Sequence, residues 1–460
     1  MNSLEEAMKS LFSLSLVAVL CAPAICAAHA QTPDSSSSLA PFAALLPAPD
    51  KPAAPGPVMT LEELERIALA DNPAIAVAAR RLAVAEAQVP VAGALDDPTA
   101  MYRGWGVPLS QPWNFNDAQN MFSVSQSFPG RGKRTLRTSV AQSGADVAKA
   151  QLAEAQLEVR VNVRKAFDNL LLAGEEMKIY DEDVDIARQA IAAARIKYAV
   201  GKVSQQDILK AQVALTALAE QLIRFQRNAG LARARLNTLL GRDPGAPLDV
   251  RGQFAVEAAL PSEQALEQIA LESRPDLVAA RDAAERSHKE QALTKKVYTP
   301  DFTITGGYML MPPSEDIRNN YMIEAAMNLP WLNRRKHDAE IAEATAAATE
   351  QDAELAELRN TAFGQIGEAL VEAKAAQRFA RLYQDRLRPQ AEAALQSSVI
   401  AYENGKTDFL DLLDSQTTVI DVEMDWAQAV ADFDARLADL ELAAGATLDQ
   451  FQQPAPEVKP

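Results

Sequence analysis

The amino-acid sequence predicts a mainly helical protein with a small β part, in which one helix–strand–strand–long-helix unit occurs twice. Three observations predict this architecture: motifs that recur about two hundred residues apart, two very long helical runs, and two pairs of alternating segments between helices. The composition agrees, because hydrophobic residues reach 48% while aromatic residues reach only 6%. Such an alanine-rich mixture suits long helices packed through small side chains better than a few thick globular cores.

The body of the 460-residue chain is an internal duplication. Three motifs of the first half recur in the second half at offsets of 202 to 204 residues, and they begin at Ile67 and Ile269, at Tyr198 and Tyr402, and at Asp207 and Asp411. This nearly constant spacing predicts two structural repeats, residues 58–241 and 262–445, with an inter-repeat linker at residues 242–261.

The N-terminal segment predicts export from the cytoplasm. A short apolar run, Leu11–Leu20, is followed by the small-x-small motif Ala28-His29-Ala30, which is typical of a signal-peptide cleavage site. Residues 1–30 are therefore predicted to be a signal peptide. The Pro-, Ser- and Ala-rich residues 31–57 predict a disordered leader, and residues 446–460 predict a similar tail.

Charge and composition exclude several functional classes. The net charge of −17 argues against nucleic-acid binding, which depends on neutralising phosphates. Both cysteines and one of the three histidines lie in the predicted signal peptide, and no nucleophile motif accompanies the remaining histidines. We therefore expect no enzyme activity, no metal centre and no cofactor. No apolar stretch of about 20 residues beyond the N-terminus predicts a membrane-spanning helix.

Each repeat is predicted to open with two helices separated by an X-Pro step, because the residue before proline resists the α conformation. A very long helix follows the β segments, about Thr135–Ala199 in the first repeat and about Lys336–Tyr402 in the second. At 1.5 Å per residue such a helix extends about 100 Å, so it forms a rod or the wall of a tube. The returning helices, from about Ile208 and Leu412, carry heptad seams typical of coiled coils.

Four candidate strands lie between the helices, at about Thr99–Val107, Asn120–Phe128, Asp301–Leu310 and Tyr321–Leu329. Each is long enough to cross a bilayer as a tilted strand. Four strands cannot close a barrel, and lipid does not tolerate open edges, so several chains would have to share one barrel. The aromatic residues Phe128 and Trp331 at strand ends favour this membrane interpretation as interface anchors. The alternative is two soluble hairpins packed on the helices.

The duplicated unit resembles the TolC family of outer-membrane efflux proteins. The resemblance rests on the opening segment Leu61–Pro73 and on the paired Tyr-x-x-Gly and Asp-x-Leu motifs, and it covers about Met59–Gly445. It implies a homotrimer whose twelve strands share one barrel in the outer membrane, continued by a helical tube in the periplasm. It also implies contact with outer-membrane lipid, docking to a periplasmic adaptor, an indirect link to an inner-membrane pump, and no catalysis.

The resemblance also implies site residues at the periplasmic tip of the helices. The glycine-bearing turns would dock the adaptor, and their residues are Gly201, Lys202, Val203 and Ser204 in the first repeat and Gly405, Lys406 and Thr407 in the second. Asp411 and Asp414 match aspartates that narrow the closed tube, and three residues apart they share one helix face. Tyr402 matches a position that helps to hold the gate closed in the family. Asp207 occupies the position of Asp411 in the first repeat.

Structural roles compete with these assignments. Asp411 and Asp207 stand where an acidic side chain stabilises a helix start, whereas Asp414 has no such explanation. Tyr402 suits side-chain packing equally well. For the whole protein, the alternative function is a periplasmic adaptor or another secreted coiled-coil structural protein. The duplicated strand pairs argue against that alternative, because adaptors carry one helical hairpin flanked by β domains.

Four methionines cluster near the second predicted hairpin, namely Met309, Met311, Met322 and Met327. Their soft thioethers suit Cu(I), but methionines more commonly fill lipid-facing or core positions. The segment Asn328–Trp331, with the basic residues that follow it, resembles members of the family that are paired with heavy-metal pumps. The sequence therefore leaves both drug and metal cargoes open.

Overall fold

The computed structural model describes residues 56–107, 109–110, 112–113, 116, 118–199, 205–254, 259–313, 315–404, 406–407 and 409–447. The predicted signal peptide lies outside these residues, as do nearly all of the predicted leader and tail. Within them the elements follow the predicted order, and two helices, two strands of seven or more residues and at least two long helices occur in each repeat.

The helices of both repeats match the predicted unit. Those of the first repeat are α1 (Leu61–Asp71), α2 (Pro73–Gly93), α3 (Lys133–Ala199) and α4 (Gln205–Leu239). Those of the second repeat are α5 (Glu263–Ser273), α6 (Pro275–Lys295), α7 (Arg334–Leu382), α8 (Arg388–Glu403) and α9 (Phe409–Ala444). No helix in the described ranges is both long and apolar enough to cross a bilayer.

The strands form a short parallel pair and a larger antiparallel sheet. The parallel pair joins β1 (Val58–Met59) to β4 (Asp249–Val250), and it was not predicted because two-residue strands leave no alternating pattern. The antiparallel sheet has the order β2–β3–β5–β6, and its strands are β2 (Thr99–Trp105), β3 (Gln119–Phe128), β5 (Phe302–Leu310) and β6 (Asn319–Met327). Each of these strand ends lies within two residues of its predicted position.

The first helix begins and ends where local chemistry dictates. Thr60 and Glu63 form a capping box: the Thr60 amide donates to Glu63 Oε2 at 3.0 Å, and the Glu63 amide donates to Thr60 Oγ1 at 3.4 Å. The helix ends before Pro73, and Asn72 caps the next helix by accepting a hydrogen bond from the Ala74 amide at 2.8 Å. The predicted X-Pro boundary is therefore confirmed.

Each repeat has its own small core beneath its first helix. Leu64 and Ala68 of α1 are fully buried among side chains of α3 and α4. Leu266 and Ala270 of α5 are equally buried against α7 and α9. The two pairs are related by the repeat offset of 202 residues, so the duplication extends from the sequence to the packing.

The residue before each repeated proline makes the same long-range contact with different chemistry. In the first repeat, Asn72 Nδ2 donates to the carbonyl oxygen of Leu239, at the end of α4, at 2.8 Å. In the second, Arg274 Nη1 donates to the carbonyl oxygen of Ala443, near the end of α9, at 2.9 Å. A carbonyl at a helix C-terminus lacks an intrahelical partner, so each side chain satisfies a group that would otherwise have none.

Arg274 is held in a crowded site. Its guanidinium also donates to both carboxylate oxygens of Asp276, at 2.8 and 2.9 Å, and to Gln365 at 2.7 Å. Gly445 packs directly against it with a φ of +74°, and a Cβ there would lie 2.4 Å from the Arg274 Cα. Glycine suits this position because both the backbone conformation and the available space exclude a side chain.

The two long helices differ in their regularity. α3 runs for 67 residues without interruption, as predicted. The second run was predicted to be one helix, but a π-helical turn at Tyr383–Leu387 divides it into α7 and α8. Pro389, at the start of α8, has no amide hydrogen to donate to the preceding turn, which explains why regular α-helical hydrogen bonding breaks here.

The predicted heptad seams are confirmed in part. In α4, the seam positions from Leu218 to Leu236 are buried or half-buried. α9 buries a wider stripe than a single seam, because it packs against both α7 and α3. The heptad spacing from Leu412 also predicts a seam position for Arg436, but 47% of its side chain is exposed and it pairs with Glu372 at 2.6 Å.

Replacing Arg274 with alanine should destabilise the protein by about 2–3 kcal/mol, because Asp276 and the Ala443 carbonyl lose a buried charged donor. Arg286→Ala in α6 is the matched control, since half of the Arg286 side chain is exposed and it pairs with Glu290 one helical turn away. Its expected effect is below about 0.5 kcal/mol. Thermal unfolding followed by circular dichroism measures both variants, and equal effects would contradict the role given to Arg274.

Candidate functional site

The four-stranded sheet has two chemically different faces. Along β5, the alternate residues Phe302, Ile304 and Tyr308 are exposed by 46%, 50% and 46%. The intervening Thr303 and Thr305 point to the opposite face, which β3 lines with serines. A sheet with an exposed apolar face and a hydroxyl-rich opposite face is typical of the wall of a membrane β-barrel.

The strand register aligns aromatic side chains in a row across the apolar face. One residue of each strand belongs to this row, and its members, each opposite the next, are Tyr102, Phe122, Tyr308 and Tyr321. A second row crosses the helix-proximal end of the sheet and contains Phe128, Phe302 and Met327. Along β3 the rows are about 20 Å apart, which approaches the height of the apolar band between the aromatic girdles of membrane barrels.

Both predicted interface anchors lie at this helix-proximal end. Phe128 is the last residue of β3 and belongs to the second row. Trp331 lies in the 3₁₀ turn Pro330–Asn333 that follows β6, and 43% of the residue is exposed. Their position at the same end of the sheet agrees with an anchoring role, which stays a prediction.

An ion pair fastens the two hairpins together where they meet α3. Lys133 Nζ lies 2.8 and 3.0 Å from the two carboxylate oxygens of Asp301, and the Gly130 amide donates to the same carboxylate at 2.6 Å. The Asp301 amide in turn donates to Asn328 Oδ1 at 2.7 Å. Sequence reasoning missed this junction because its partners belong to different repeats.

The two outer strands of the sheet each have one unpaired edge. Over the described part of the chain, β2 pairs only with β3, and β6 pairs only with β5. Each outer edge therefore presents main-chain donors and acceptors that lack partners in this sheet. In lipid, an edge of this kind requires a strand from another source.

The predicted docking tips are described only in part. The residues of these turns that lie outside the described set are Gly201, Lys202, Val203, Ser204 and Gly405. Lys406 is exposed, and its amide donates to the Ala401 carbonyl at 2.9 Å, as expected just past a helix end. Thr407 is half-buried, and its hydroxyl donates to the carboxylate of Asp411.

The two candidate gate aspartates lie in the first two turns of α9. Asp411 is the third residue of this helix, and its hydrogen bond from Thr407 supports the capping alternative. Asp414 lies three residues further along, and both aspartates are exposed. Tyr402 is half-buried near the end of α8. Asp207 is the third residue of α4, and its side chain is not among the described ones.

A partly buried cluster of charged side chains lies between α3 and α9. Arg164 pairs with Glu441 at 3.0 Å, and Lys165 pairs with Asp439. Asp168, one turn further along α3, is only 7% exposed, and one of its carboxylate oxygens has no hydrogen-bond partner among the described residues. A carboxylate in this environment is poorly solvated in its charged form.

Burial gives carboxyl groups along this interface unusual pKa values. Burial and the nearby charge of Asp434 raise the pKa of Asp168 to about 7, although Arg164 acts in the opposite direction. Burial likewise raises the pKa of Asp434 to about 6. Further along the same two helices, burial and the charge of Asp421 raise the pKa of Asp183. Sequence reasoning missed these groups because each pair joins one residue from each repeat.

Comparison with known proteins assigns the family. The chain matches the outer membrane efflux protein family over residues 64–242 and 266–446, once in each repeat. The chain belongs to this family. The match confirms the predicted family and favours it over the alternatives of a periplasmic adaptor or another secreted coiled-coil structural protein.

Individual relatives agree with this assignment. The cobalt-zinc-cadmium resistance protein CzcC of Cupriavidus metallidurans is 29% identical over 292 residues, which cover 63% of this chain and 68% of CzcC. The outer-membrane channel OprN superposes with a TM-score of 0.71 at 21% identity, covering 84% of this chain and 90% of OprN. A structure of CusC gives a TM-score of 0.72 at 17% identity, covering 84% of this chain and 92% of CusC.

As a member of this family, the protein is an outer-membrane channel of an efflux system. Its helical body and small sheet have the fold of the solved channels OprN and CusC. Because members of the family are channels, the assignment also supports a role without catalysis.

Asp168→Asn should flatten the pH dependence of stability. A carboxyl group whose pKa is raised by folding stabilises the folded state fully below its unfolded pKa, near 4, and this contribution is lost as the pH rises through about 7. The wild-type free energy of unfolding should fall by about 2 kcal/mol between pH 5 and pH 8 because of this group, and the variant should lack that part of the decrease.

Thermal unfolding at the two pH values measures the effect. Asp432→Asn in α9 is the charge-matched control, since Asp432 is exposed, and it should follow the wild type. An Asp168→Asn variant whose stability changes with pH as much as that of the wild type would show that Asp168 is not protonated in the folded state near neutral pH.

Proposed function

We propose that three copies of this chain assemble into the outer-membrane exit channel of a tripartite efflux pump. The observation that carries the proposal is the four-stranded sheet, which combines an exposed apolar face with two unpaired outer edges. Lipid accepts the apolar face but not the edges, so strands from identical copies must complete the wall. Pairing β2 of one copy with β6 of the next closes a barrel of twelve strands in a trimer.

The long helices support a tube that continues from the barrel into the periplasm. α3 has 67 residues, and a helix of that length extends about 100 Å, which is far more than the thickness of a bilayer. Large apolar side chains stay exposed along the first helical hairpin, with values of 70% for Ile196, 56% for Ile223 and 63% for Leu231. Neighbouring copies packed side by side would cover them.

The candidate gate would lie at the end of this tube that is farthest from the barrel. Asp411 and Asp414 from three copies would place six carboxylates around one opening, which attracts cations and repels anions. Tyr402 would latch the closed position. Asp207 of α4 would occupy in the first repeat the position that Asp411 occupies in the second. The turns next to the gate, which include Lys406, would dock the periplasmic adaptor and reach the inner-membrane pump through it.

One of the relatives favours a metal-ion cargo. CzcC, which is named for resistance to cobalt, zinc and cadmium, is 29% identical to this chain over 292 residues. The resemblance of the segment Asn328–Trp331 to members paired with heavy-metal pumps favours the same class.

Disulfide cross-linking tests the shared barrel. Ala100→Cys in β2 is combined in turn with Ile323→Cys, Ala325→Cys and Met327→Cys in β6, because these positions share the apolar face. For at least one combination, oxidation of outer membranes should give covalent dimers and trimers on a denaturing gel, and no larger species. The reason is that β2 and β6 would meet only between copies.

The control pair keeps both cysteines inside one chain. Val124→Cys in β3 and Gly306→Cys in β5 lie opposite one another, so their disulfide should leave the chain monomeric on a denaturing gel. A protein that fractionates as a soluble monomer, with no covalent dimer or trimer in any combination, would rule out the trimeric channel.

Asp414→Ala should raise the single-channel conductance several-fold and weaken the block by multivalent cations, because it removes three carboxylates from the proposed opening. Asp432→Ala removes an equally exposed carboxylate from the same helix at a distance from the gate, and it should leave both properties unchanged. Planar-bilayer recordings of the purified proteins measure them. Conductance that does not change in Asp414→Ala would remove Asp414 from the gate.

A further inference from the structure

Five of the 11 methionines of the chain gather on the polar face of the sheet. Met121 of β3 and Met309 of β5 lie directly opposite one another in the strand register. Met101 of β2 and Met322 of β6 lie on the same face, each one diagonal step from this pair. Met311 lies just past β5, and its amide donates to the Arg318 carbonyl at 2.8 Å. This bond extends the strand pairing by one step, so Met311 continues the same alternation.

These methionines lie within reach of one another. Directly opposite residues of an antiparallel pair have Cβ atoms about 4.5–5.5 Å apart, and diagonal neighbours about 7–8 Å, which the flexible methionine side chain can span. Gly307 lies opposite Met322, and a Cβ added to Gly307 would lie 3.5 Å from the Met322 methyl carbon. The end of the Met322 side chain therefore lies close to Gly307, near the centre of the sheet.

Packing does not account for this cluster. The same face carries hydroxyl and charged side chains, including Ser123, Thr305 and Glu324, so it is not a hydrophobic core. In the proposed barrel this face lines the lumen, because the opposite face carries the exposed aromatic rows. Met327, a member of the predicted cluster, lies instead on the apolar face opposite Phe302. The structure thus separates Met327 from the cluster and adds methionines of the first hairpin.

Charged neighbours on the same face affect the affinity for a cation. Arg103 lies directly opposite Met121, and its Nη2 atom is 3.8 Å from the sulfur of Met101. A guanidinium so close opposes cation binding by Coulomb repulsion. Glu324 follows Met322 by two residues on β6 and acts in the opposite direction. Binding that is moderate rather than tight suits a channel wall, because a conducted ion must also leave.

We propose that this methionine face is a transient binding site for soft monovalent metal ions of the Cu(I) and Ag(I) class. Thioether sulfur is a soft, uncharged ligand that selects Cu(I) over harder ions. Met121 and Met309 supply the first two donors, and Met101 and Met322 lie within reach as further donors. The inference rests on the proposed channel, since three copies would repeat this set around the lumen, and it names a cargo class for that channel.

Silver binding by the detergent-solubilised, full-length protein tests the inference. Equilibrium dialysis against Ag(I) in chloride-free buffer, followed by elemental analysis, measures the bound metal. The Met121→Leu/Met309→Leu double variant should bind Ag(I) at least about tenfold more weakly than the wild type, because leucine conserves volume and removes both sulfur donors. Met327→Leu on the opposite face is the matched control and should bind like the wild type.

Arg103→Gln provides a test of opposite sign. Removing the guanidinium should tighten Ag(I) binding several-fold, because the repulsive charge next to Met101 and Met121 is lost. A purely structural role for the methionines predicts no such gain. Unchanged or weaker binding in Arg103→Gln would place the metal elsewhere and would overturn the proposed site.

The assembly state of the same preparation separates this inference from the proposed function. A trimer that binds no Ag(I), or that binds it equally well in the double variant, overturns the metal site and leaves the channel proposal intact. If Met327→Leu weakens Ag(I) binding as much as the double variant does, the site is also overturned, because any methionine of the sheet would then contribute equally. A monomer that binds Ag(I) through Met121 and Met309 supports the metal site and overturns the trimeric channel.

Discussion

Main-chain hydrogen bonding at the outer edges of the sheet is the constraint on which the rest of the structure depends. Water solvates an unpaired strand edge, but in hydrocarbon each unpaired amide or carbonyl costs several kcal/mol. A chain with four strands and an exposed apolar face is therefore incomplete in a membrane by itself. In the proposed trimer, strands of neighbouring copies would satisfy these edges.

Duplication pairs two of the four hairpin edges within one chain, through β3 and β5, while allowing the two halves to diverge. The pairing of β3 with β5 makes one wall from two repeats, and the Lys133–Asp301 ion pair strengthens the joint at its base. Farther from the sheet the halves differ: Asn72 and Arg274 satisfy equivalent carbonyls by different chemistry, and only the second long helix has a π turn. The repeat thus preserves contacts rather than residues.

Local chemistry made much of the fold predictable. The X-Pro steps and the alternation along β5 each act over a few residues, so the strand ends could be placed within two residues and the starts of the long helices within about three. The π turn was not predicted, because the helical periodicity on both sides of Pro389 indicated one continuous helix. Phe128 and Trp331 lie at one end of the sheet, as expected.

The parts that could not be predicted are pairings between the repeats. Which residue of β5 meets Met121 depends on strand register, and a shift of one residue would turn every side chain to the other face. The low solvation of Asp168 depends in the same way on how α3 packs against α9, which spacing within either helix does not specify. The family resemblance proposes Asp411 and Asp414 as gate residues, and this assignment stays a prediction. The structure adds the hydrogen bond from Thr407 to Asp411, which supports the capping alternative for Asp411.

The divergence of the repeats has a consequence for anything that docks at the tip. Lys210 of α4 occupies the position that Asp414 occupies in α9, 204 residues later, and both are exposed. A ring of three copies would therefore have true threefold but only approximate sixfold symmetry, with acidic grooves alternating with grooves in which the charges of Asp207 and Lys210 offset one another. A partner that discriminates by electrostatic potential could occupy three grooves, whereas one that recognises only the shape of the helices could occupy all six.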